Sequence, residues 1–448
     1  MTRPPRSSRR PVPAPAVSAL AALALAGLAL GARAKDAAGD TFRVHEWGTF
    51  TSLQGSDGVA LEGLEHEEAH LPPFVYSRSE VRACPLRDVG WKGLECEPTG
   101  VTQKMETPVL YVHSRTPRRL RVRVDFVRGV LSQWYPVSDL LGPPERAADA
   151  GPLDVAAVER SFLEWEVDVL APDADAPREV PRVSDADDPW LLARDVRANW
   201  LRTTPRVAPR EGPVEAERYL FYRGLGAFEL PLRAIAHGAG RLTLRHAGTA
   251  SHDPADAIRA ALALEVRGHR ARLAPVGPLD AGAERAVAFD DDATPWRALD
   301  DVVSELEARV FAALVSEELH ADEARAMVRT WSRSWFRAEG VRVLWIVPRP
   351  LVDALLPLRI EPVPDAVVRV LVGRLEILTP EDEAALRDAL RDRRSDDAAA
   401  RAAAEARIAL SGRFLEAHLR RVLAVPCDDV VRASAEELLA AVDGSRER

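Results

Sequence analysis

Arg119-Leu120-Arg121-Val122-Arg123-Val124-Asp125-Phe126 alternates between charged and apolar side chains. At a side-chain period of two, Leu120, Val122, Val124 and Phe126 line one face of a strand. Phe162-Leu163-Glu164-Trp165-Glu166-Val167-Asp168-Val169-Leu170 repeats the pattern with acids in place of arginines. Its apolar face is Leu163, Trp165, Val167 and Val169. The two stretches should be neighbours in one sheet. Opposite charges would then face each other across the pair, and both apolar faces would enter the same core.

Working outward, Phe42-Arg43-Val44-His45-Glu46-Trp47-Gly48-Thr49-Phe50-Thr51 is extended and ends at the turn Gly55-Ser56-Asp57-Gly58. Pro108–Val112, Tyr219–Arg223, Ala227–Leu232, Arg241–His246 and Ala263–Leu273 are further short strands. Their regular spacing predicts a sandwich-like, β-rich domain over 35–289. Gly142–Pro152 and Ala171–Pro189 are polar and predict loops. After Phe289 the period changes. Ala298–Leu319 and Asp322–Phe336 are amphipathic helices, and Val341–Val347 and Val367–Leu378 are apolar strands, making a mixed segment over 290–379. Thr379-Pro380-Glu381-Asp382 starts a helix, with a capping hydroxyl, proline at the first helical position and acids at the dipole. The region 380–448 is helical, with a second capping box expected at Ser434-Ala435-Glu436-Glu437 and a stop at Gly444. The fold class is α+β.

The first 34 residues predict a compartment. Arg3, Arg6, Arg9 and Arg10 precede an apolar run from Ala16 to Leu30, and Ala32-Arg33-Ala34 is a small-x-small cleavage site. This is the layout of a secretory signal peptide. Cleavage would leave a soluble chain in the periplasm or medium; without cleavage the run would be a membrane anchor. The segment carries five arginines and no acid, so its removal takes the formal charge from -9 to -14. An acidic chain is a poor nucleic-acid binder, because phosphate contacts need a basic face. Lysine occurs only at Lys35, Lys92 and Lys104, so arginine abundance is a compositional bias and not evidence for an anion site. In an oxidising compartment the close pair Cys84 and Cys96, in a turn-rich stretch, predicts a disulfide. Cys427 reads as a small buried hydrophobe.

Three stretches carry a resemblance: His45-Glu46-Trp47-Gly48-Thr49-Phe50-Thr51, Lys104-Met105-Glu106-Thr107-Pro108-Val109-Leu110-Tyr111 and Val372-Gly373-Arg374-Leu375-Glu376. From about Arg43 to Glu376 the chain resembles a family of uncharacterised exported bacterial proteins. The resemblance implies a recurring fold and brings no activity, cofactor or partner with it.

Several groups could carry chemistry. His66-Glu67-Glu68-Ala69-His70 matches H-E-x-x-H, in which two histidines one helical turn apart hold zinc and Glu67 activates water. Pro72-Pro73 would cut such a helix short, and the alternative is a solvated acidic loop. Asp57, Glu62, Glu65 and Glu68 add carboxylates. Zinc would favour the histidines and calcium the carboxylates. His45, Glu46, Glu106 and His113 are candidate further ligands. Glu164, Glu166 and Asp168 share a strand face and read as a charged surface rather than a glycosidase pair. Trp331, Trp335, Phe336 and Trp345 read as core, with sugar stacking as the alternative. Glu317-Glu318-Leu319-His320 reads as a surface helix, and Gly224-Leu225-Gly226 as a hairpin turn. There is no Walker A, G-x-S-x-G or S-x-x-K motif. The sequence thus favours a non-catalytic envelope protein that binds an unidentified partner or ligand. A zinc hydrolase centred on His66, Glu67 and His70 is the alternative, and a carbohydrate-binding protein a weaker one.

Overall fold

The computed structural model describes residues 41–66, 71–78, 98–144, 152–186, 188–204, 213–248, 253–290 and 292–445. Cys84, Cys96, Glu67 and His70 lie outside them. The main strands are β1 (Phe42–Gln54), β2 (Gln103–Ser114), β3 (Arg118–Val127), β4 (Gly129–Tyr135), β5 (Arg160–Val169), β6 (Tyr219–Gly226), β7 (Ala261–Arg267), β8 (Arg270–Pro275), β9 (Gly340–Ile346), β10 (Leu358–Glu361) and β11 (Ala366–Ile377). The longer helices are α1 (Leu299–Ser316), α2 (Ala321–Ser332), α3 (Pro380–Asp392), α4 (Ala398–Ala409), α5 (Leu415–Ala424) and α6 (Asp429–Ser445). The chain is α+β.

β3 and β5 pair antiparallel, with Arg119 opposite Asp168, Arg121 opposite Glu166 and Arg123 opposite Glu164. Arg119 Nε donates to Asp168 Oδ1 at 2.9 Å, and Arg121 Nη2 to Glu166 Oε1 at 2.6 Å. The acids are therefore a paired surface, as the alternation implies. This six-stranded sheet packs its apolar face on a ten-stranded sheet. The long sheet runs from β8 through β7, β9, β11, β1, β2 and β6 to β4, with two-residue strands at its edges. β1 at its centre is buried on both faces, as expected where both sides of a sheet are covered. It pairs antiparallel with β2 and parallel with β11. The three segments that carried the family resemblance thus lie on adjacent strands.

The other face of the long sheet is covered by α1 and α2, whose Val302, Leu306, Met327, Val328 and Trp331 pack on Trp47, Tyr111 and Phe221. The result is a sandwich with an added helical layer. Trp331, Trp335 and Phe336 are core, as is Trp345 on the opposite face.

Four expectations need correction. The boundary at 289/290 does not divide the sheets: β9 and β11, from the segment 290–379, sit between β7 and β1, so the described residues from Phe42 onward make one compact unit. Ser434 does not start a helix but lies inside α6, whose first turn is held by Asp428 Oδ1 accepting from Val431 N at 2.9 Å. Gly444 lies within the same helix rather than after it. Gly224-Leu225-Gly226 belongs to β6, where the Phe126 ring lies so close that a Cβ on Gly224 would approach it to 2.7 Å. The expected start at Thr379 stands: Thr379 Oγ1 accepts from Asp382 N at 3.1 Å. Among the described residues no helix is long and apolar enough to cross a membrane.

Candidate metal centre

Arg43 on β1 lies opposite His113 on β2, and His45 opposite Tyr111. His45 and His113 are therefore diagonal neighbours on one face of the sheet, close enough for long side chains to meet. That is the face α2 covers. The turn into α2 puts Glu318 at φ 73, a left-handed conformation that ends α1 and redirects the chain. His320 is the residue before α2, and Glu323 falls in its first turn.

The four side chains converge. Glu323 Oε2 lies 2.8 Å from His45 Nδ1, and Glu323 Oε1 lies 2.8 Å from His113 Nε2. The backbone N–H of His320 donates to Glu323 Oε2 at 2.8 Å. Ring centroids are 4.8 Å apart for His45 and His113, 4.4 Å for His45 and His320, and 4.5 Å for His113 and His320. One ligand atom from each residue can be chosen so that all lie within 4.8 Å of one another. His45 and Glu323 are buried, whereas the His320 side chain is 46% exposed, so the group sits under the surface with one open side. His45 Nε2 is buried and has no hydrogen-bond partner.

The charge states suit a ligand set. Burial works to raise the Glu323 carboxyl, but hydrogen bonds and charge from His113 and His45 outweigh it and hold the pKa at about 2. It is a carboxylate at neutral pH. Burial lowers the His320 imidazole below its ordinary value, with His113 and His45 adding and Glu323 opposing. His320 is then neutral, the form in which imidazole binds a metal. A helix N-terminus disfavours a cation, but Asp322 and Glu323 in the first turn offset that field.

The sequence named His45 and His113 and missed His320 and Glu323. The pattern that counts is His320-Ala321-Asp322-Glu323, a histidine before a helix with an acid three residues on, and not Glu317-Glu318-Leu319-His320. The ligands it placed with His45 are elsewhere. Glu46 points to the opposite face, where it accepts from Tyr222 and Arg369. Glu106 is clamped by Arg413 through contacts of 2.8 and 3.1 Å and accepts from Thr51 Oγ1 at 2.7 Å. Burial opposes ionisation of Glu106, but Arg413, Lys104 and Arg223 hold its carboxyl well below the usual range.

Residues 61–66 are not helical, so the described part of H-E-x-x-H, up to His66, lacks the helix that the motif calls for. His66 instead forms a separate group with Glu65 and Glu416, its Nε2 lying 3.0 Å from Glu416 Oε2. Arg420 Nε also donates to Glu416, and Lys104 Nζ donates to the carbonyls of Glu65 and His66, so this group ties a loop to α5. A cavity of about 540 Å³ beside it is lined by matched charges, with Arg342 and Arg374 on Glu376 and Arg267 and Arg407 on Asp382.

No protein-family model matches the chain, and no curated protein matches it. Among solved structures, the Fcho1 Mu homology domain (Danio rerio) with bound Eps15 peptide aligns over 75% of this chain and 97% of that one. Identity is 7% and the TM-score 0.27, too slight a likeness to argue from.

Proposed function

We propose that the protein is an exported envelope protein that binds one divalent transition-metal ion, of the zinc class, through His45, His113, His320 and Glu323. The observation that carries this reading is the convergence of three imidazoles and one buried carboxylate from three separate elements, with the buried His45 Nε2 left unpartnered. Nitrogen donors with a single carboxylate suit zinc and not calcium, which takes six to eight oxygens. In a tetrahedral shell with bonds of about 2.0–2.1 Å, ligand atoms stand roughly 3.3 Å apart. No two of the chosen atoms stand more than 4.8 Å apart, so no pair need close by more than roughly 1.5 Å. Four protein donors fill such a shell, which is the mark of a closed, non-catalytic site. The ion would staple β1, β2 and α2 together.

Export rests on residues 1–34, and the formal charge argues against nucleic acid as a partner. The resemblance to exported bacterial proteins belongs to the same reading, because His45 lies inside one of its segments. The exposed side of His320 favours one second reading, a hydrolase in which the ion keeps an open position toward solvent. Metal analysis of the purified protein separates the outcomes. One zinc per chain, lost in both His113→Ala and His320→Ala, supports the site. Zinc-dependent hydrolysis of p-nitrophenyl acetate, lost in the same variants, would move the reading to the hydrolase. Metal-free protein that takes up no stoichiometric zinc overturns both.

A further inference from the structure

At the far end of α2 from the histidines, the same face of the sheet opens into a cavity of about 390 Å³. The volume is that of a small-molecule site. Its walls are aromatic: Trp47, Trp190, Trp331 and Trp335 all line it. Its floor is a β-bulge. Trp47 pairs with Val109 and Thr49 with Glu106, so Gly48 alone faces Thr107 and Pro108. A Cβ at Gly48 would come within 3.0 Å of the Pro108 Cα, so the bulge needs a glycine there. Thr107 has φ 55, a conformation that β-branched residues rarely adopt. Bulges of this kind re-aim side chains beside binding sites.

Thr107 Oγ1 and Trp331 Nε1 are among the buried polar groups of this lining that have no hydrogen-bond partner. Such groups are almost always satisfied, so their presence on residues lining one aromatic cavity points to a ligand atom. The indole N–H can only donate, which asks for an acceptor on the ligand. At the rim the exposed Arg329 and Arg333 project from the end of α2 and the turn after it. Asp185 and Asp188 also line the cavity, and Asp188 is used in capping the helix Pro189–Arg194, where it accepts from Trp190 N.

We propose that this cavity binds a small, flat aromatic acid. Its ring lies among the tryptophans, an inner hydroxyl meets Thr107 and Trp331, and its carboxylate faces Arg329 and Arg333. The site is independent of the metal centre.

Isothermal titration with 6-hydroxy-2-naphthoate tests it, with 2-naphthoate lacking the inner hydroxyl and 2-naphthol lacking the carboxylate. The hydroxy acid should bind one per chain, and each truncated probe about tenfold more weakly, the loss expected for one hydrogen-bonded or charged contact. Trp331→Phe should abolish the preference for the inner hydroxyl. The surface variant Arg329→Ala/Arg333→Ala, which leaves the core intact, should weaken the two acids and leave 2-naphthol unchanged. No saturable binding of the hydroxy acid, or equal affinity for all three probes, overturns the proposal. So does binding that neither variant alters.

Discussion

Replacing Glu323 with glutamine keeps the shape of the side chain and removes its charge. The carboxylate accepts from His45, His113 and the His320 backbone, and it is fully buried, so solvent screens none of this. Its pKa is about 2 in place of 4.5. At 1.36 kcal/mol for each pH unit, that displacement corresponds to about 3 kcal/mol of stability. The folded-state pKa is depressed, so this contribution is complete above about 4.5 and is lost as pH falls through about 2. Urea unfolding of metal-free Glu323→Gln, followed by tryptophan fluorescence in chelator, should show a loss of about 3 kcal/mol at neutral pH with an unchanged slope. The gap between the variant and the parent should narrow over the acid range, because the parent loses what the variant never had. A loss below about 1 kcal/mol at neutral pH would show that the charge of Glu323 adds nothing beyond an ordinary hydrogen bond. A gap that stays constant down to about pH 2 would show the same.

Arg413→Met leaves the Glu106 carboxylate buried without its cation and should cost about 3–5 kcal/mol in the same assay; a neutral result would mean Glu106 is ionised by other groups. Gly373→Ala puts a Cβ 2.2 Å from the buried Trp345 Nε1 and should cost about 1–3 kcal/mol; unchanged stability would show that the indole can move aside. Peptide mapping without reduction should find Cys84 joined to Cys96 in exported protein, and two alkylatable thiols there would refute the pairing.

The parts of the fold that the sequence disclosed are those written in neighbouring residues. Period-two alternation at Arg119–Phe126 and Phe162–Leu170 gave both the strands and, through charge, their pairing. The cap at Thr379 is a local signature and stands. Ser434 carries the same local signature, yet α6 already begins at Asp429, because a serine with an acid three residues on also fits a helix interior. The single compact unit was hidden, since β1 pairs with β11 over some three hundred residues and no local pattern encodes that parallel register. The candidate metal centre was half legible for the same reason. His45 and His113 were named, but as partners for His66, their neighbour in sequence. Their real partner Glu323 lies 278 residues from His45 and 210 from His113. Only the register of β1 on β2 and the turn at Glu318 bring it there.

Three histidines and one glutamate from distant parts of the chain should hold a single ion. Crystals of the zinc-treated protein, measured on both sides of the zinc absorption edge, test it most directly. One anomalous peak is expected within about 2.0–2.2 Å of a nitrogen of each of His45, His113 and His320 and an oxygen of Glu323. An anomalous map with no peak there, while Glu323 still accepts from His45 and His113, would contradict it and leave the group as a hydrogen-bonded anchor for α2.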